Sequence, residues 1–197
     1  MSFEGQQSNP DEALPGFEVH DPGEIAFQRG LVLLYDEDDG AEAEAAWHEA
    51  DALGHAGAAT HLGLLAFHER KDPGAAEVAY ARGAERGDGN GAFYLGLLCE
   101  TRGDMDAAEA AFARGDALGH GGSAANLGVV LHERGDIAAA ESAFARADER
   151  GHGGGAFNLA LVLEARGDLA GARAALLRAH ERGEPGADEA LVRILGA

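Results

Sequence analysis

Apolar residues recur along this chain with the period of an α-helix, in short segments separated by glycine and aspartate. One segment carries them at i, i+3, i+4 and i+7, namely Ala124, Leu127, Gly128 and Leu131. This spacing favours an amphipathic helix. The pair Gly135-Asp136 follows it. Glycine adopts the left-handed conformation that ends a helix, and aspartate can cap the free N–H groups of the next one.

A second apolar stripe follows directly and stops at Gly151. It consists of Ile137, Ala140, Ala143, Phe144 and Ala147. The unit is therefore predicted to be two helices. We expect Gly128 to lie opposite Ala140, so that the two backbones approach closely while Phe144 fills the wider end. One helix pair cannot bury such a stripe alone, whereas stacked pairs can.

The unit repeats every 32 or 33 residues, as three sets of markers show. The first set is Arg29-Gly30, Leu62-Gly63, Leu95-Gly96, Leu127-Gly128 and Leu159-Ala160. The second is Trp47, Tyr80, Phe112, Phe144 and Leu176. The third is Gly54, Gly87, Gly119, Gly151 and Gly183. Because all three keep one period, five repeats are predicted to cover residues 26 to about 188.

Composition supports an all-α fold. Of the 197 residues, 43 are alanine and 30 are glycine, whereas only seven are valine and three isoleucine. Helices that touch through small residues can form such a core, but a sheet would need more β-branched side chains.

The arrangement resembles the tetratricopeptide repeat, in which alanine and an aromatic residue follow a Leu-Gly pair at fixed distances. The matching sets are Gly96, Ala108 and Phe112, and Gly128, Ala140 and Phe144. The segments between units are instead similar to Sel-like repeats, as in Gly119-His120 followed by Asn126-Leu127-Gly128. The resemblance implies a right-handed α-solenoid of about five helix-turn-helix repeats.

The two ends of the chain fit a solenoid. Residues 1–20 are expected to form a flexible acidic tail. Residues 21–197 are expected to form a single solenoid domain. The segment Asp21-Pro22-Gly23-Glu24 carries start signals for the first helix. Residues 187–197 form a short amphipathic pattern that predicts a C-terminal capping helix.

The net charge of the chain limits the kinds of partner that it is expected to bind. The formal net charge is −20, from 35 acidic and 15 basic residues. A nucleic-acid backbone or an anionic membrane surface would be repelled by this field, so neither is an expected partner. The first residues contain no basic and apolar segments of the kind that make a secretory signal, which favours a cytoplasmic location.

The sequence offers little for catalysis or metal binding. Cys99 is the only cysteine and is expected to be a packing residue. His55, His120 and His152 share one position in different repeats, too far apart for a single zinc ion, and are expected to lie where helices end. The acidic run 36–40 lacks the spacing of a calcium loop and is expected to be a solvated turn. We therefore expect no catalytic residues, no metal site and no cofactor.

The resemblance also implies a binding surface, because the first helix of each pair lines a concave groove in tetratricopeptide proteins. The implied groove residues are Phe27, Gln28, Leu31, His61, Leu64, Phe93, Tyr94, Leu97, Asn126, Val129, His132, Phe157, Asn158 and Leu161. Asn126 and Asn158 can donate and accept hydrogen bonds, as a peptide main chain requires. The same asparagines belong to the Sel-like pattern, so a purely structural role stays open.

These observations favour a non-enzymatic adaptor that binds a neutral or basic protein or peptide in the groove. The alternative is a small-molecule- or metal-binding protein, or an enzyme. It would use a pocket inside the superhelix formed by His61, Tyr94, Asn126 and His132. Self-association through the end repeats or the tail is a third hypothesis.

Overall fold

The computed structural model of the protein describes residues 21–35 and 39–195, and the predicted tail at residues 1–20 lies outside this range. The described residues form eleven α-helices and no strand. Their bounds are α1 Pro22–Tyr35, α2 Gly40–Ala52, α3 Ala56–His68, α4 Pro73–Glu85, α5 Gly89–Thr101, α6 Met105–Ala117, α7 Gly121–Glu133, α8 Ile137–Glu149, α9 Gly153–Ala165, α10 Leu169–Glu181 and α11 Ala187–Leu195. Helices α1 to α10 form five pairs, and α11 follows them as a cap. The all-α repeat fold predicted from the sequence is confirmed.

The turns within the last three pairs are built as the Gly-Asp spacing predicts, whereas the turn predicted at residues 36–40 lies partly outside the described residues. Gly103, Gly135 and Gly167 have φ between 81° and 87°, in the left-handed region where glycine is unstrained. The aspartate that follows begins the next helix: in repeat four, Asp136 Oδ1 accepts a hydrogen bond from the N–H of Ala139 at 3.1 Å. Repeat two has one extra residue here, and Lys71 takes the left-handed position with φ 56°.

The joints between pairs differ from the prediction in one respect. The glycine of each joint ends a helix, but the histidine after it begins the next one. The Nδ1 atoms of His55, His120 and His152 accept backbone N–H groups three residues ahead, at 3.0 to 3.2 Å. Asp88 holds the same place in repeat three and caps α5. Burial lowers the pKa of His120, which favours the neutral ring that this acceptor role requires.

The first and second helices of the pairs form two layers. We name α1, α3, α5, α7 and α9 the A helices, and α2, α4, α6, α8 and α10 the B helices. Within the described residues, α3, α5, α7 and α9 contact one another in sequence, whereas no two B helices make comparable contact. The A helices are therefore more closely spaced, which places them on the concave side of the solenoid.

The core of each pair differs from the predicted contact. Gly128 faces Phe144 rather than Ala140: a Cβ built on Gly128 would lie 2.5 Å from the Phe144 ring. The other repeats pair Gly30 with Trp47, Gly63 with Tyr80 and Gly96 with Phe112. In repeat five the pair is Ala160 with Leu176, both of which are buried. The glycine thus makes room for a large side chain of the same pair.

Neighbouring B helices are joined by ion pairs between buried aspartates and partly exposed arginines, which the sequence analysis did not predict. Asp116 is bound by Arg146 at 2.6 Å and by Arg150, which come from the next repeat. Asp148 is bound in the same way by Arg178 and Arg182. Burial alone would raise the pKa of each carboxyl, but hydrogen bonds from the two arginines outweigh it, so both pKa values lie below the ordinary range.

Candidate peptide-binding groove

The fourteen predicted groove residues all lie on A helices, and each is half-buried or exposed. None is sequestered in the core. This follows from the repeat: on each A helix one face packs against its B helix and another against the preceding repeat, leaving a third free. These side chains therefore lie on the concave layer and are at least partly exposed.

A large cleft lies between repeats four and five. It has a volume of about 520 Å³. Four predicted groove residues line it: Val129, His132, Asn158 and Leu161. The Phe144 ring and Val162 contribute further apolar wall. The large cleft therefore combines an apolar floor with one amide and one imidazole at its edge.

A small cleft of about 320 Å³ occupies the matching place between repeats two and three. Tyr94 and Leu97 line it, at the positions held by Asn158 and Leu161 in the large cleft. Tyr80 and Tyr94 stack at the small cleft with ring centroids 5.4 Å apart. Burial raises the pKa of Tyr80 to about 12, so its phenol stays protonated.

Asn126 and Asn158 in the groove differ from Asn90, near the start of α5, in the hydrogen bonds of their side-chain amides. Within residues 21–35 and 39–195, neither amide forms a hydrogen bond. By contrast, the Asn90 amide is bound to Asp88 Oδ1 at 3.1 Å. Half-buried amides without internal partners retain their capacity to bind an extended peptide.

Other predicted groove residues make contacts within the solenoid itself. Phe27 stacks on His55 of the following joint at a centroid distance of 4.3 Å, and Phe93 packs against His120 at 4.8 Å. Gln28 donates to Glu24 on its own helix at 2.7 Å. His61 Nδ1 lies 2.9 Å from the Gly57 carbonyl. Leu31 and Leu64 pack against the apolar clusters of the first two repeats, and Phe157 packs on the cluster beneath α11.

The residues predicted to form a small-molecule or metal pocket inside the superhelix do not line a single cleft. His132 lines the large cleft and Tyr94 the small one. In the described part of the chain, no three histidine, cysteine or acidic side chains are grouped so as to hold a metal ion. Cys99 is buried, and burial raises the pKa of its thiol. The structure therefore gives the groove apolar and hydrogen-bonding chemistry.

Charge at the clefts is mostly acidic. Glu133 lines the large cleft and Glu100 the small one. Neither forms an ion pair within the described residues, although Glu141 of the large cleft is paired with Arg166 at 2.8 Å. Both unpaired carboxylates could accept a lysine or arginine from a partner.

Solved structures of known proteins share this architecture. A Sel1 repeat protein from Oxalobacter formigenes matches with a TM-score of 0.68 and 20% identity, over 86% of this chain and 74% of its own. The fold is a Sel1-like solenoid. The antigen c5321 of uropathogenic Escherichia coli, which displays an SLR fold, gives 0.70 and 20% identity. That match covers 89% of this chain and 44% of c5321.

A third solved structure is also similar to this chain. This chain also matches PilF of Pseudomonas aeruginosa with a TM-score of 0.60 and 18% identity, over 82% of this chain and 76% of that one. No protein-family model and no curated protein matches the sequence. No helix in the described ranges has the length and apolar character needed to cross a membrane.

Proposed function

We propose that this protein is a non-enzymatic cytoplasmic adaptor that binds a neutral or basic protein segment along its concave groove. Solenoids of the Sel1 and tetratricopeptide type commonly mediate protein–protein interaction. The observation that carries the proposal is the pair of asparagines at equivalent positions of repeats four and five, each with a side-chain amide that has no hydrogen-bond partner in the described chain.

The binding mode follows from the groove's chemistry. An extended segment would place apolar side chains in the two clefts, while Asn126 and Asn158 bond its main chain. The net charge of −20 attracts basic segments and speeds their association. Lysine and arginine are absent from the predicted groove positions, which disfavours capture of an acidic peptide terminus.

The asparagine pair gives a direct test of this proposal. The double variant Asn126→Ala/Asn158→Ala should bind the partner roughly thirtyfold more weakly than the wild type in pull-downs from a lysate of the native host, because each lost amide removes about 1 kcal/mol of binding free energy. Raising the salt concentration should weaken wild-type binding further, since it screens the acidic field.

The matched control is Asn90→Ala, at the joint end of α5, which should bind as the wild type does. Circular dichroism and urea unfolding would establish that all variants fold equally. Equal retention by the wild type and the double variant would refute the groove model.

A further inference from the structure

The small cleft is richer in aromatic rings than the large cleft, although the repeat register gives the two clefts equivalent positions. Phe67, Tyr80 and Tyr94 line the small cleft. The equivalent residues of the large cleft are His132, Phe144 and Asn158. Phe67 and Tyr94 come from neighbouring A helices, and the Phe67 side chain is well exposed. Aromatic faces attract cations, and the planar guanidinium of arginine stacks on them.

The Tyr80 hydroxyl is a polar group that the packing of the repeat does not require. The residues at this position in the other repeats, none of which carries a hydroxyl, are Trp47, Phe112, Phe144 and Leu176. Tyr80 is only 3% exposed and lines the small cleft. Its hydroxyl forms no hydrogen bond within the described residues. Because an unpaired buried polar group costs free energy, a ligand that bonds this hydroxyl is favoured.

The charges at the small cleft favour a cation. Glu100 lines the cleft and forms no ion pair within the described residues. No lysine or arginine of the described chain lines this cleft, whereas Arg166 lines the large one. Helices α3 and α5 both end here, since His68 and Thr101 are their last residues and line the cleft. The C-terminal ends of helices carry partial negative charge, which adds to that of Glu100.

The glutamate at the same position of repeat five already binds an arginine within this chain. Glu164 of α9 lies two repeats after Glu100 in the same register. Its Oε2 atom accepts a hydrogen bond from Nη2 of Arg193 at 2.6 Å, and Arg193 belongs to α11. A carboxylate at this position is therefore accessible to a guanidinium from outside its own helix.

We propose that the small cleft binds an arginine side chain of the protein segment that occupies the groove. The guanidinium stacks on the rings of Phe67 and Tyr94. It pairs with the Glu100 carboxylate and donates a hydrogen bond to the Tyr80 hydroxyl. The aliphatic stem of the arginine lies against Leu97, as the apolar lining of the cleft requires. The source of this arginine, a segment of the partner, rests on the proposed function.

NMR titration of the full-length chain with blocked tripeptides tests this arginine site. Acetyl-Ala-Arg-Ala-amide should shift the ring signals of Tyr80 and Tyr94 with a dissociation constant in the millimolar range. The matching citrulline peptide has nearly the same shape without the charge, and should bind at least about tenfold more weakly. The lysine peptide should bind about threefold more weakly, because its compact ammonium cannot stack as a planar group.

Three substitutions in the small cleft separate the contacts of the arginine. Tyr80→Phe removes only the hydroxyl and should weaken binding about threefold, and phenylalanine already fills this position in repeats three and four. Phe67→Leu and Glu100→Gln should each weaken it by about threefold to fivefold. The matched control is Glu133→Gln in the large cleft, which changes the net charge equally and should leave binding unchanged. Circular dichroism should show the same helix content in every variant.

Several results would overturn the arginine site. They are the absence of shifts at Tyr80 and Tyr94, equal binding of the citrulline or lysine peptide, and equal losses in Glu100→Gln and Glu133→Gln. None of them involves Asn126, so the adaptor proposal would still stand on its own test. If the asparagine test fails while the arginine peptide binds, the adaptor proposal fails and the small cleft is a guanidinium site without that partner.

Discussion

Replacing Gly96 with alanine should lower the free energy of unfolding by about 1–3 kcal/mol, because the new methyl group would overpack a filled core. A Cβ at Gly96 would lie 2.4 Å from the Phe112 ring, which is fully buried and has no room to withdraw. The matched control is Gly74→Ala, where the nearest side-chain atom is 3.5 Å away. There the better helix propensity of alanine should leave stability equal or slightly higher.

The natural pair of repeat five predicts how the loss at Gly96 can be recovered. Alanine at position 160 is accompanied by Leu176 rather than by an aromatic ring. The double variant Gly96→Ala/Phe112→Leu should therefore be more stable than the sum of its single changes. Urea unfolding of all four chains measures this coupling. Additivity within about 0.5 kcal/mol would show that the glycine and the ring are not in contact.

Much of the fold could be predicted because its signals are local. Gly135 and Asp136 encode a helix end and a helix start within two residues, and the same pair recurs at the matching turns of repeats three and five. The contact of Gly128 was predicted wrongly because Ala140 and Phe144 lie on the same face of α8. Only the crossing of the two helices decides which of them meets the glycine.

Removing a buried carboxylate should produce the other large effect. Asp148→Ala is expected to lower the free energy of unfolding by about 2–3 kcal/mol, between the values for exposed and fully buried ion pairs. The change leaves Arg178 and Arg182 without their shared partner at the junction of repeats four and five. Glu149→Ala, on the exposed side of the same helix, is the matched control and should change stability little.

The same ion pairs predict a dependence on pH. The pKa values of Asp116 and Asp148 are lower in the folded chain than the value of about 3.9 expected when unfolded. Their contribution is therefore complete above about pH 4 and is lost as the pH falls through the lowered pKa values. The stability difference between the wild type and Asp116→Asn/Asp148→Asn should shrink below that pH. A difference that stays constant down to strong acid would contradict this assignment.

These aspartate–arginine pairs could not be predicted from short sequence patterns. Arg146 and Arg150 follow Asp116 by 30 and 34 residues, and they meet it only because successive B helices stack in register. The signal that could have found them is the recurrence of an aspartate followed by two arginines, a set that Asp51, Arg82 and Arg86 also form at the first junction. At the junction of repeats two and three, Ala84 holds the aspartate position, and Arg114 bonds its carbonyl oxygen instead.

The repeat register predicts which positions are equivalent along the groove, but it does not predict what each side chain at those positions contacts. Asn126 and Asn158 share a position with His61 and Tyr94, yet the asparagine amides are unbonded in the described chain while His61 is bound to a main-chain carbonyl. Whether such a side chain faces a partner or its own backbone depends on the conformation it adopts against neighbouring helices.

The most direct test of the groove is site-specific photo-crosslinking in the native host. A photoreactive phenylalanine analogue at Leu161, in the wall of the large cleft, should capture a partner protein. The same analogue at Val78, an exposed residue of the B helix α4, should not. The Asn126→Ala/Asn158→Ala changes should reduce the yield of the Leu161 adduct. Equal capture from both positions, or no protein adduct from Leu161, would contradict the adaptor account.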